Sequence, residues 1–212
     1  MRIFITGTDT NVGKTVVSSW LCLKTGYDYF KPIQSGVSEG RDSQVVAAYS
    51  GARVFPEAYC YQAPLSPHLA AAAEHETIDT QRIQLPDSNN LIVEGAGGVL
   101  VPINDDTLMV DFMKQLNVPV ILVASSRLGT INHSLLSLEA LRARNIDVLG
   151  VIVTGEPNDA SIRSIEVYGH TEVLAHLPFL PELNQFTLNQ VDFGVKLTSI
   201  FDLKKRLFSY ST

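Results

Sequence analysis

Nine residues near the start, Gly7-Thr8-Asp9-Thr10-Asn11-Val12-Gly13-Lys14-Thr15, set a lysine and a threonine directly behind a glycine. A lysine there can meet terminal phosphate oxygens, and a threonine hydroxyl can ligate Mg²⁺. The general phosphate-loop pattern has four residues between its glycines. Here five stand between Gly7 and Gly13, and Thr8 falls where the first glycine belongs. The context suits the reading nonetheless. Arg2–Thr6 reads as a buried strand and Thr15–Leu21 as a helix. A strand that feeds a helix N-terminus through a glycine loop presents bare N–H groups and the positive end of the helix dipole. The alternative is an accidental Gly-Lys-Thr at a helix start.

Three more charged residues invite chemistry. Lys31 follows an apolar run and precedes Pro32, so it is either a solvated strand end or a cation for transferring phosphoryl oxygens. Glu94 follows Leu91-Ile92-Val93 and precedes Gly95-Ala96-Gly97-Gly98, where backbone can approach a ligand closely. A carboxylate there suits Mg²⁺, which takes oxygen ligands and commonly one or two carboxylates beside phosphate oxygens. Asp42 is either a second such ligand or the N-cap of the helix after it. Ser66-Pro67-His68 lacks a nucleophile-elbow context, the 95–98 glycines lack dinucleotide spacing, and His133, His170 and His176 show no metal-ligand pairing.

The elements that must position these residues are short apolar runs alternating with helix-like stretches. Strands are expected at Ile3–Thr6, Tyr27–Lys31, Leu91–Glu94, Val120–Ala124 and Leu149–Thr154. Helices are expected at Thr15–Lys24, Asp42–Tyr49, Pro67–Glu74, Thr107–Gln115 and Ile131–Arg144, with a last one over Val195–Leu207. Apolar runs without alternation suit strands buried on both faces. The order implies a single α/β domain over residues 1–212, a mostly parallel central sheet with helices on both faces. In such sheets ligands bind beyond the carboxyl ends of the strands. Thr6-Gly7, Lys31-Pro32, Glu94-Gly95, Ser125-Ser126 and Thr154-Gly155 all collect on that edge.

Composition bounds the partners. A chain of 212 residues with formal charge −6 and no long Lys/Arg run is not built for broad nucleic-acid binding. Cys22 and Cys60 have no metal-ligand spacing and read as free thiols, which suits a reducing cytosol. The N-terminus runs straight into a strand, and no apolar run spans a membrane, so a cytoplasmic protein with no membrane partner is expected. Residues 199–208 have a faint basic amphipathic character, read here as part of a docked C-terminal helix rather than a membrane segment. The residues alone thus describe a Mg²⁺–nucleotide phosphoryl-transfer enzyme or switch, with no acceptor named.

The chain resembles the dethiobiotin synthetases. The resemblance rests on residues 7–15, Lys-Pro-Ile-Gln-Ser-Gly (31–36), Ser-Pro-His (66–68), Val-Glu-Gly-Ala-Gly-Gly (93–98), Leu-Gly-Thr-Ile-Asn-His (128–133) and Leu-Pro-Phe-Leu (177–180). The five-residue gap in the loop is this family's own pattern. The resemblance implies a P-loop NTPase-like fold. It also implies closure of a cyclic urea on 7,8-diaminopelargonic acid with CO₂ or bicarbonate and Mg-ATP, through a carbamate and a carbamic–phosphoric anhydride. It implies Lys14 and Lys31 as catalytic cations, and Thr15, Asp42 and Glu94 as Mg²⁺ ligands. Nucleotide contacts would come from Asn11, Val12, Gly13, Lys14, Thr15, Val16, Gly95, Ala96 and Gly97, with Thr154, Gly155, Pro178, Phe179 and Leu180 near the base. Thr10, Lys31 and Ser35 would meet the diamine and its carbamate. Gly129, Thr130 and Asn132 would hold the substrate carboxylate from the neighbouring subunit of a homodimer.

The chain departs from familiar members at Asn11, where one has Glu, and at Thr154-Gly155, where Asn-Asp is usual and the Asn reads adenine. Threonine cannot make the paired amide contacts of asparagine, so weaker discrimination among triphosphates is expected. The link from the first helix to the second strand is also short. The same modified loop occurs in ATPases that position septa or partition chromosomes. Those carry a signature lysine five residues before the loop lysine, where this chain has Asp9. Cobyrinic-acid amide synthetases are related too, but need a glutaminase domain this chain is too short to hold.

Overall fold

The computed structural model describes residues 1–201. Nine strands and eight α-helices are found among them: β1 (Arg2–Gly7), α1 (Lys14–Thr25), β2 (Asp28–Phe30), β3 (Ile33–Ser35), α2 (Asp42–Ser50), β4 (Val54–Phe55), β5 (Tyr59–Tyr61), α3 (Pro67–Ala73), β6 (Leu91–Glu94), α4 (Met109–Leu116), β7 (Val120–Ser125), α5 (Thr130–Arg142), β8 (Val148–Thr154), α6 (Asp159–Gly169), β9 (Val173–Leu177), α7 (Gln185–Gln190) and α8 (Gly194–Ile200). Seven strands form one sheet in the order β4-β2-β6-β1-β7-β8-β9. Every recorded pairing in it is parallel. A separate parallel ladder joins β3 to β5, pairing Ile33 with Tyr59 and Ser35 with Tyr61.

Side-chain alternation along each strand assigns residues to the two faces. Ile3, Ile5, Ile92, Ile121, Val123 and Ile152 pack with Val17, Trp20 and Leu21 of α1 and Val46 of α2. Phe4, Leu91, Val93, Val120, Leu122 and Val153 pack on the other side with Phe112 and Met113 of α4, Leu138 and Leu141 of α5 and Ile165 of α6. Two covered faces explain why the central strands read as unbroken apolar runs. Each fully buried side chain of this size contributes about 1.5–3 kcal/mol relative to exposure.

Helix α1 begins at Lys14 and stops at Gly26, whose left-handed backbone (φ 68°) donates its N–H to the Cys22 carbonyl at 2.8 Å. The strand expected at Tyr27–Lys31 is therefore shorter, β2 covering Asp28–Phe30 and leaving Tyr27 outside it. The β9 strand and α6 were not anticipated, nor were the short β3, β4 and β5. The last expected helix, Val195–Leu207, is present as α8 to Ile200; its remainder from residue 202 lies outside the described residues. Phe193 and Phe201, flanking α8, pack edge-on against Trp20 and Tyr27, each at 5.2 Å between ring centroids. These contacts dock the described part of this segment on α1 and on Tyr27 just past its end. Among the described residues no helix is long and apolar enough to cross a membrane.

Candidate active site

Sheet register brings the charged residues together. β2 and β6 pair Tyr29 with Ile92 and Phe30 with Val93, so one step further sets Lys31 beside Glu94. Both then share the parity of Tyr29 and Ile92, which face α1 and α2. Those two helices carry Thr15 and Asp42 in their first turns.

The four side chains close into one cluster. Lys31 Nζ lies 2.5 Å from Asp42 Oδ2 and 3.1 Å from Glu94 Oε1. The Thr15 hydroxyl lies 2.9 Å from both Asp42 Oδ1 and Glu94 Oε1, as a donor it can serve one at a time. Lys31 and Glu94 are buried, at 4 % and 1 % exposure. Burial alone would lower the Lys31 pKa, but Glu94 and Asp42 outweigh it and hold the ammonium above its ordinary value. The Asp42 carboxyl is held below the usual carboxylate range, because Lys31 and the Thr15 hydroxyl overcome the opposing effect of burial. Lys31 is thus not a solvated strand end. Asp42 is not the N-cap either: Arg41 holds that position, and the Asp42 side chain turns to Lys31 and Thr15.

Lys14 stands next to this group with its ammonium on the Asp9 carbonyl at 2.9 Å. Its pKa is lowered to about 8, first by burial and then by the Lys31 charge. The loop around it is a helix N-terminus with no side-chain cap, entered through Gly13 in a left-handed conformation (φ 93°). Such an end leaves N–H groups free for an anion. Asn11 is exposed and Val12 buried, and Val16 follows in the first turn. The Gly95–Gly98 turn lies against the loop; a Cβ on Gly98 would come within 3.3 Å of the Thr8 carbonyl.

The other expected residues surround the cluster at various removes. Thr10 is exposed, with its N–H on the Asp9 carboxylate at 2.7 Å. Ser35 ends β3, and its buried hydroxyl has no hydrogen-bond partner among the described residues. Thr154 donates its hydroxyl to the Val12 carbonyl at 2.8 Å. Gly155 accepts from His176 Nε2 at 2.7 Å. Pro178 and Phe179 stand exposed and Leu180 half-buried just past β9. Gly129, Thr130 and Asn132 open α5 beyond the end of β7. Among the described contacts, none joins these three to the Lys14–Glu94 cluster.

Two residues of the site were missed from sequence. The fully buried Tyr29 donates its hydroxyl to Glu94 Oε2 at 3.0 Å. Its phenol is pushed well above its ordinary pKa by burial and by Glu94. The signal was strand parity, since Tyr29 and Lys31 lie two apart. Gln34 accepts the Asp42 N–H at 3.0 Å and donates to the Ser35 carbonyl at 2.8 Å, serving the end of α2 that Arg41 leaves uncapped. No short-range pattern marks that contact.

The arrangement suits a Mg²⁺–triphosphate. One hydroxyl and two carboxylates converge as an all-oxygen donor set, which hard divalent cations require. Two lysines and a bare helix N-terminus lie beside it. A parallel sheet with this loop after its first strand defines a P-loop NTPase-like protein. The AAA domain family matches residues 1–187. A plasmid partition protein from Borrelia burgdorferi superposes with a TM-score of 0.58 at 12 % identity, covering 97 % of this chain and 98 % of its own, a likeness of fold alone. The "ATP-dependent dethiobiotin synthetase BioD" of Lawsonia intracellularis is 52 % identical over 201 residues, 95 % of this chain and 99 % of that protein. Its counterpart in Paramagnetospirillum magneticum is 47 % identical over 188 residues, 88 % of this chain and 92 % of that protein. The chain belongs to the dethiobiotin synthetase family.

Proposed function

We propose that this chain catalyses the ATP-dependent closure of the ureido ring of dethiobiotin from 7,8-diaminopelargonic acid and CO₂ or bicarbonate. The observation that carries the reading is the convergence of Lys31, Thr15, Asp42 and Glu94 beside Lys14 at the mouth of the loop. One amine of the substrate takes up CO₂ as a carbamate and releases a proton. A carbamate oxygen attacks the γ-phosphorus, the bond to the β-phosphate oxygen breaks, and ADP leaves. The second amine attacks the carbonyl carbon of the anhydride and gives up a proton, the ring closes, and inorganic phosphate departs.

Carbamate and triphosphate are both anionic, so their approach needs fixed cations. Lys14 and Lys31 supply two, held in place before substrate arrives; one such preorganised contact is worth roughly 3 kcal/mol in a transition state. Thr15, Asp42 and Glu94 would hold Mg²⁺, which would neutralise phosphate charge. Asn11 to Val16 and Gly95 to Gly97 wrap the phosphates, while Thr154, Gly155 and Pro178 to Leu180 flank the base. Thr10, Lys31 and Ser35 orient the diamine and its carbamate; two ordered amines make ring closure intramolecular.

We assign the carboxylate end of the substrate to Gly129, Thr130 and Asn132 of a second copy in a homodimer. Leu128, fully exposed just ahead of them, supports this. We place the protein in the cytoplasm, as its two unbridged cysteines suit. The test is phosphate release from Mg-ATP and bicarbonate with and without the diamine, with the product identified by mass. Diamine-dependent release with a product of dethiobiotin mass is expected. Release indifferent to the diamine overturns the reading in favour of a partition-type ATPase switch.

A further inference from the structure

We infer that Thr154 is a positioning residue for the phosphate loop, setting triphosphate affinity independently of the base. This rests on the nucleotide-site reading above. Thr154 ends β8, 142 positions along the chain from the loop residue it holds. Its hydroxyl donates to the Val12 carbonyl at 2.8 Å. That commits its one proton to loop backbone. Its methyl and hydroxyl also cover Gly13: a Cβ on Gly13 would lie 3.1 Å from Thr154 Cγ2 and 3.3 Å from Oγ1. Gly13 is the left-handed residue through which the chain enters α1. Its carbonyl accepts the Val17 N–H at 2.9 Å, so the peptides on either side of Gly13 are tied down, one by Thr154 and one by α1.

The brace is itself anchored. The Thr154 carbonyl accepts the Ser126 N–H at 2.8 Å, and the Gly155 N–H donates to the Leu177 carbonyl at 2.9 Å. The Gly155 carbonyl accepts from His176 Nε2 at 2.7 Å. Thr154 therefore ties the loop to three adjacent strand ends, those of β7, β8 and β9. Loosening it lets the Val12–Gly13 peptide rotate, which misdirects the N–H groups that face phosphate.

Calorimetric titration of the full chain with Mg²⁺ and non-hydrolysable analogues of ATP, GTP and CTP, and with ADP, tests this without diamine or turnover. Thr154→Val should weaken all four by one common factor of about twofold to tenfold, that of one lost hydrogen bond. Thr154→Ala, which also lacks the hydroxyl but introduces no new bulk, should show the same uniform loss. Thr154→Ser should restore wild-type affinity. A change in the ATP:GTP ratio would make Thr154 a base reader and overturn the proposal. Unchanged affinity for all four, in either Val or Ala, would overturn it as well. Failure of the wild-type chain to bind any triphosphate would instead sink the underlying function.

Discussion

Replacing Glu94 by glutamine separates the charge of the buried cluster from its hydrogen bonds. The carboxylate accepts from Tyr29 on Oε2 and from Lys31 on Oε1, where Thr15 also lies in reach. A glutamine amide keeps one acceptor oxygen. It must stay toward Lys31 and Thr15, because an NH₂ there would face the ammonium donor to donor. The NH₂ then points at the Tyr29 hydroxyl, which can turn and accept. Shape and bond count survive, while one negative charge beside Lys31 is lost. Breaking a buried ion pair outright costs about 3–5 kcal/mol. Here Asp42 remains on Lys31 at 2.5 Å, so the loss should be nearer that of one charge-assisted hydrogen bond, about 1.5–3 kcal/mol. Urea denaturation without nucleotide or divalent metal should read it. Tyr29→Phe should cost more alone than in the Glu94→Gln background, because alone it leaves a charged carboxylate oxygen buried without its donor, whereas in that background it leaves only a neutral NH₂ unpaired. Wild-type stability for Glu94→Gln, within about 0.5 kcal/mol, the usual range of surface changes, would refute the claim that charge holds the cluster. Turnover should also need more Mg²⁺, and a metal titration identical to wild type would remove Glu94 from the ligand set.

Lys31→Ala should abolish diamine-dependent turnover while leaving nucleotide binding largely intact; unchanged turnover would remove Lys31 from the chemistry. Lys14 has a folded pKa of about 8 against an ordinary 10.5, so between those values the unfolded chain binds more protons and this group's contribution to stability rises with pH. Comparing wild type with Lys14→Met in denaturant, wild type should gain about 2 kcal/mol relative to the variant from pH 7 to 9.5; parallel pH profiles would refute the buried, charged assignment. Asp42 has the same sign in a more acidic window: its lowered pKa contributes stability present above the ordinary carboxylate value and lost on acidification. Asp42→Asn should therefore flatten the acid limb of the profile below about pH 4, and an unchanged limb would count against it. Competition among triphosphates should show weak preference for ATP, and strict ATP selectivity would mean that groups other than Thr154 read the base.

The parts of this architecture that could be read from sequence are those where burial acts on both faces. β1, β6 and β7 each carry an unbroken apolar run, Ile3–Ile5, Leu91–Val93 and Val120–Ala124, because helices cover them on each side, and a run of that kind stands out. α6 and β9 escaped because their buried stripe is thin: only Ile165 and Gly169 of α6 are fully buried, and His176 interrupts β9. The two- and three-residue strands β3, β4 and β5 are set by tertiary pairing and leave no period to detect. At the site, Lys14, Lys31 and Glu94 were legible because each ends an apolar strand or opens a helix at the ligand-binding edge. Asp42 was ambiguous because a carboxylate at a helix start has two uses, and only the approach of Lys31 from β2 decides between them. Tyr29 and Gln34 act on other residues of the site, so they lack a motif of their own.

The small β3–β5 ladder has a consequence for how this chain can vary in length. It clips together residues 33–35 and 59–61, closing the excursion that carries α2. Gln34 fastens the near end of that helix, and Ser43 and Arg41 reach Glu57 in the link between β4 and β5, at 2.5 Å and 3.3 Å. The excursion is therefore a cassette with a fixed mouth, and Asp42 sits at the mouth. Its far end is the exposed turn at Gly51. Residues inserted or removed there extend or trim the cassette into solvent while the carboxylate stays on its lysine, which makes that turn the natural place to splice in a reporter peptide.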